Sequence, residues 1–131
     1  MDTIKILPTA DSYRYDIGIR QFQLTADEPV AIGGTDLGPT PTELVFAGLG
    51  SCKAITLKMY AARKDWPLES VTTNVEVSQV DKRYKITVFL KPTGNLSIEQ
   101  KERLLAISNK CPVHKLLAAG ADITTPLVSD Y

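Results

Sequence analysis

An excess of charge of one sign, long unbroken apolar runs and a supply of metal-binding side chains are all missing from this sequence. Fifteen Lys and Arg balance 15 Asp and Glu, and no block of like charges occurs. The electrostatic footprint that nucleic acid or an anionic membrane demands is therefore lacking, and no nucleic-acid and no membrane partner is expected. The most apolar window, Leu44 to Ala62, is interrupted by Lys53 and Lys58, which makes it a poor membrane span and a good buried helix. Met1-Asp2-Thr3-Ile4-Lys5 has no basic segment leading into an apolar one, so no secretory leader is expected and the chain is placed in the cytoplasm. Histidine occurs once, at His114, and cysteine twice, at Cys52 and Cys111. In a reducing compartment such a pair is more often metal-binding, catalytic or simply buried than structurally bridged. Zinc normally takes four protein ligands, or three and a water; the C-x-x-H spacing of Cys111 and His114, even with Cys52, falls short, so no metal is expected. Gly33-Gly34-Thr35-Asp36-Leu37-Gly38 lacks the spacing of a dinucleotide fingerprint, and no cofactor is expected.

What remains has the composition of an ordinary folded chain. Its 131 residues, 44% hydrophobic and 23% charged, suit a single domain over 1–131 with one core. Tyr13, Tyr15, Ile17 and Ile19 alternate with polar residues or glycine, the two-residue period of a half-buried strand. If that strand runs on unbroken, Arg20 shares a face with Phe22 and Leu24, an unusual place for a solvating arginine. A loop rich in glycine and proline follows from Asp27 to Thr40. Thr40-Pro41-Thr42-Glu43 then forms a capping box, opening a helix expected to run to about Lys64, with Trp66-Pro67 as its stop. The stripe Val45, Gly48, Leu49, Cys52, Ile55, Thr56 and Met59 is expected to face inward. Alternation over 71–77 and 84–90 about Asp81-Lys82 predicts an antiparallel hairpin. Ser97 and Gln100 make a second capping box for a helix whose stripe is Leu104, Ile107, Ser108 and Cys111. Pro112 ends that helix or opens a short one, Gly120 is a candidate C-terminal cap, and residues 123–127 could add a last strand. The order predicts an α+β fold with a mainly antiparallel sheet and a long central helix.

Two inward-facing cysteines on separate helices could meet if their stripes pack together, although buried cysteine also serves as a small core hydrophobe. Leu49-Gly50-Ser51-Cys52 puts small side chains beside the first thiol, and Gly48 and Gly50 suggest close approach of another element. A reactive thiol needs a lowered pKa, whereas an apolar setting raises it, so a cation is expected near Cys52. Arg20 is the candidate, with a plain surface role as its alternative. Glu43 could orient it through a bidentate pair, or could act only as the helix cap.

Residues 26–29, 33–44, 49–52 and 60–68, with Cys111-Pro112-Val113-His114-Lys115-Leu116-Leu117, resemble the OsmC/Ohr family (osmotically induced protein C, organic hydroperoxide resistance) over nearly the whole chain. The resemblance implies an intertwined homodimer built around two long central helices, with two active sites at its interface. It also implies thiol-dependent reduction of organic hydroperoxides. By position, Cys52 corresponds to the peroxidatic cysteine and Cys111 to the resolving one. Arg20 or Arg14 would correspond to the activating arginine. Family members carry Glu directly after the helix-opening Pro, where this chain has Thr42; Glu43 comes one residue later, about 100° around the helix. The chain therefore resembles a divergent OsmC-like subgroup.

The expected activity is that of a two-cysteine peroxidase: Cys52 forms a sulfenic acid, Cys111 condenses with it, and a dithiol reductant, small or protein-bound, restores the pair. The alternative is a non-catalytic dimeric module binding a small apolar ligand at the subunit interface. The Thr42 departure favours that alternative.

Overall fold

The computed structural model describes residues 3–130; Met1 and Asp2, on which the expectation about a leader partly rests, lie outside the described residues. The chain divides into two compact units, Met1–Gly48 and Leu49–Tyr131.

The first unit is a three-stranded antiparallel sheet in the order β1 (Lys5–Pro8), β2 (Tyr15–Ile19), β3 (Phe22–Ala26). Ile17 of β2 pairs with Ile6 on one side and Leu24 on the other. The strand expected to run unbroken through Arg20 instead ends at Ile19. Arg20 and Gln21 form a tight turn, Ile19 pairs with Phe22, and Arg20 takes a left-handed φ of 53°. Neither turn residue is the Gly or Asn that normally marks such a hairpin, so its position was hidden. Beyond β3 the loop is organised by one carboxylate. Asp27, only 1% exposed, accepts hydrogen bonds from the amides of Glu28 (2.7 Å), Leu37 (3.1 Å) and Thr35 (3.4 Å) and from the Thr35 hydroxyl (2.5 Å). Those donors outweigh burial and pull its pKa to about 2, the Thr35 hydroxyl contributing most. Gly34 is required by contact: a Cβ there would stand 1.8 Å from the Glu28 carbonyl oxygen.

Helix α1 (Pro41–Lys64) starts where the sequence places it. The Thr40 amide donates to Glu43 Oε1 at 2.8 Å and the Glu43 amide to Thr40 Oγ1 at 3.2 Å, closing the capping box. It ends as Asp65 turns left-handed, φ 55°, ahead of Pro67. The buried face differs from the expected stripe: Leu49, Gly50, Lys53, Leu57, Tyr60 and Ala61 are buried, whereas Val45, Ile55 and Met59 are 46%, 57% and 60% exposed. Apolar side chains occur nearly all round this helix, so periodicity could not choose the face.

In the second unit β4 (Leu68–Val80) and β5 (Arg83–Gly94) form the expected hairpin, turning at Asp81 and Lys82, both with left-handed φ. The approach anticipated from the glycines is found at Gly50, whose carbonyl accepts from Thr73 Oγ1 at 3.1 Å and where a Cβ would meet Val75 Cγ2 at 3.0 Å. At Gly48 a Cβ would meet no other described element within 4 Å. Helix α2 (Ile98–Ser108) opens on the Ser97–Gln100 capping box, and α3 (Pro112–Ala119) closes at Gly120, φ 80°. Leu57, Tyr60, Ala61, Leu68, Leu104 and Ile107 make the core of this unit. The expected strand at residues 123–127 is absent among the described residues. Ile123 and Leu127 are 86% and 100% exposed, no strand of this chain pairs with them, and Pro126 has no amide to offer a ladder. The architecture is α+β with antiparallel sheets, and no helix of the described residues is long and apolar enough to cross a membrane.

Asp27 gives this fold a specific acid sensitivity. A carboxylate whose folded pKa is depressed contributes stability that is complete above its ordinary value, 3.8, and is lost as pH falls towards about 2. Asp27→Asn is expected to melt below wild type at neutral pH, with the gap closing between about pH 4 and pH 2. A gap independent of pH in thermal melts would contradict the assignment.

Candidate thiol site at the start of the third helix

The site begins with Pro112. Proline lacks an amide proton and disfavours helical geometry in the residue before it, so α2 cannot run on through Cys111. Pro112 instead occupies the first turn of α3, where the missing amide costs nothing, and Cys111 becomes the N-cap with an extended ψ of 130°. Its Sγ accepts the His114 amide at 3.5 Å. The C-x-x-H spacing is thus the reach from an N-cap to the third residue of a helix. Cys111 is fully buried.

Cys52 reaches the same helix start from α1. Its half-buried sulfur interacts with the Cys111 thiol and with the Val113 amide, and lies 4.0 Å from Thr56 Oγ1. The structure therefore brings Cys52 and Cys111 close enough at the start of α3 to perturb each other's ionisation, both as free thiols. Burial pushes the Cys52 thiol up, but the Cys111 thiol, the Val113 amide, Thr56 and the nearby positive charge of Lys53 oppose it, and the net direction is down. Cys111 moves the other way. Burial raises it first, and donation to Cys52 keeps its proton on. One sulfur is poised to ionise and its neighbour to remain protonated.

Sequence reasoning missed Lys53. It registered there only as a break in an apolar run, yet its side chain is 5% exposed. The ammonium donates to the Ser108 carbonyl at 2.8 Å and meets His114 Nδ1 at 2.9 Å. Burial lowers the pKa of both Lys53 and His114, and the lysine charge depresses His114 further, so His114 accepts the contact as neutral imidazole. The available signal was position: Lys53 follows Cys52 and stands four residues from both Leu49 and Leu57. A cleft of about 440 Å³ adjoins this pair, walled by Leu49, Ile86, Val88 and Leu105; neither cysteine is among its lining residues.

Arg20, in the first unit, is exposed at the β2–β3 turn, with its guanidinium 5.0 Å from the centre of the Phe22 ring. Arg14 is engaged by Asp11 at 2.8 Å and Asp16 at 3.8 Å. Glu43 is exposed and serves the α1 cap. Among the described residues no three His, Cys, Asp or Glu side chains gather as a metal site.

Against known proteins, the family model described as OsmC-like protein matches residues 34–126, well over half of the chain. The chain belongs to the OsmC-like family. That match includes Cys52, Lys53, Cys111 and His114; Arg20 lies outside it. Among solved structures, an OsmC-like protein of Mycoplasma pneumoniae is similar at 24% identity and TM-score 0.75, over 88% of this chain and 86% of that one. A putative osmotic stress induced and detoxification response protein of Psychrobacter arcticus is similar at 20% identity and TM-score 0.74, over 88% and 87%. An organic hydroperoxide resistance protein OsmC of Legionella pneumophila is similar at 23% identity and TM-score 0.61, over 88% and 87%. At these identities the likeness establishes the OsmC-like fold. None of the curated proteins compared matches the sequence.

The opposed directions of the two thiols give a direct expectation. At pH 7 iodoacetamide should modify Cys52 before Cys111, and lowering the pH should slow Cys52 only below the range of an ordinary thiol, about 8.5. Peptide mapping of partly alkylated protein checks the order; equal labelling of both cysteines would contradict it.

Proposed function

We propose that this OsmC-like chain is a thiol-dependent peroxidase that reduces organic hydroperoxides. The observation that carries the reading is the pairing, at the start of α3, of a half-exposed thiol inclined to ionise, Cys52, with a buried thiol inclined to stay protonated, Cys111. The Cys52 thiolate attacks the outer peroxide oxygen, breaking the O–O bond; the sulfur becomes a sulfenic acid and the alkoxide leaves to take up a proton as alcohol. Cys111 then displaces water from the sulfenic acid, giving the Cys52–Cys111 disulfide. A dithiol reductant returns both thiols and is itself oxidised to a disulfide. The names of solved neighbours support this reading, since several are called organic hydroperoxide resistance proteins.

In this reading the chain is one OsmC-like domain over 1–131 and works in the reducing cytoplasm as a homodimer. Exposed Ile55 and Met59 on the helix that carries Cys52, with Val45 farther along it, support a partner chain covering that face. Arg20, oriented by Glu43, is proposed as the external cation of the assembled site. The apolar surroundings would favour alkyl peroxides, at about 0.8 kcal/mol per buried CH₂.

Anaerobic stopped-flow thiol oxidation tests the reading. Cumene hydroperoxide should oxidise wild type faster than hydrogen peroxide does; Cys52→Ser should be inert, and Cys111→Ser should stop at a sulfenic acid that dimedone traps. Wild type unreactive to both peroxides would replace this reading with the ligand-binding module. For the assembly, sedimentation should give a dimer at micromolar concentration, and a stable folded monomer would contradict it.

A further inference from the structure

No carboxylate among the described residues pairs with the buried Lys53 ammonium. Among the described residues its polar contacts are the Ser108 carbonyl and neutral His114, and the charges that act on it come from Cys111 and Cys52. A buried ammonium is costly unless an anion compensates it. The groups here able to become anions are the two thiols. The bonds also fix where the charge sits: Ser108 precedes Cys111 by three residues and His114 follows it by three, so the ammonium is tied to both ends of the turn carrying one sulfur, while its own backbone adjoins the other.

We propose that Lys53 is a positioning residue of the dithiol site, whose buried charge favours the thiolate form of the Cys52–Cys111 pair over the disulfide. Forming the disulfide removes the anion and leaves the ammonium uncompensated. Oxidation by glutathione disulfide, in which the protein dithiol becomes a disulfide and two glutathione thiols are released, is therefore opposed by Lys53. By the same logic a disulfide formed by peroxide is more readily reduced. This rests on the peroxidase reading only for its purpose, because the equilibrium itself needs no hydroperoxide.

The test uses the full-length protein with Lys53→Met, Lys53→Arg and, as a remote control, Lys101→Met, equilibrated with glutathione redox buffers at pH 7. Lys53→Met should raise the equilibrium constant for disulfide formation about tenfold, equivalent to a reduction potential about 30 mV lower, and should slow Cys52 alkylation. Lys53→Arg should stay within about threefold of wild type, and Lys101→Met should be unchanged. An unchanged constant in Lys53→Met, or one shifted towards the dithiol as loss of a mere clamp would give, overturns the proposal. If Lys53→Met does not fold, wild type carrying lysine labelled with carbon-13 at Cε decides by NMR. Lys53 should lose its proton at lower pH in the disulfide form than in the dithiol form, and identical titrations overturn the proposal. Peroxide turnover with no lysine effect defeats this inference alone; the lysine effects without peroxide turnover defeat only the peroxidase reading.

Discussion

Pro112 imposes the constraint from which the thiol site follows. By forbidding a continuous helix through Cys111, it stops α2, starts α3 and leaves Cys111 at the junction as an N-cap. The first amides of a helix have no partner within it, and here they find sulfur: His114 donates to Cys111, and Val113 serves Cys52. A helix N-terminus favours negative charge, so the junction supplies part of what a thiolate needs before any charged side chain is counted.

Lys53 connects this junction to α1. Its bonds to Ser108 and His114 join the end of one helix and the start of the next to the helix that carries Cys52, and they account for a lysine on a face otherwise made of Leu49, Leu57, Tyr60 and Ala61. Burial on that side turns Ile55 and Met59 outward. The orientation of α1 is therefore coupled to the chemistry. The face that packs in this chain delivers the cation, and the opposite face, with Ile55 and Met59, is left exposed.

The sequence carried the punctuation of the fold in particular residues. Thr40 with Glu43, Ser97 with Gln100, Pro112 and Gly120 each satisfy or terminate a local backbone pattern, and each occurs in the structure where its chemistry places it. What escaped were features decided by tertiary contact. The Arg20-Gln21 turn has no turn-forming residue and is set by pairing with β3. The buried face of α1 was ambiguous because apolar residues surround it. Of the site, the two cysteines could be singled out, but the stripes expected to bring them together are not the ones that pack: α1 buries another face and Cys111 lies beyond the end of α2, while the expectation of a cation named Arg20 and passed over Lys53. A lysine registers in composition as exposed charge, and only the distant Ser108 carbonyl and His114 ring make it a buried one. The residues of the last expected strand met no pairing edge among the described residues.

Non-reducing peptide mapping after one equivalent of cumene hydroperoxide tests the central claim, that α3 holds Cys52 and Cys111 as a single redox pair, most directly. One cross-linked peptide containing both cysteines is expected, lighter by two hydrogens than the separate peptides and lost when the oxidised protein is treated with a dithiol. Protein in which Cys52 is oxidised onward to sulfinic acid while Cys111 remains a free thiol would contradict it.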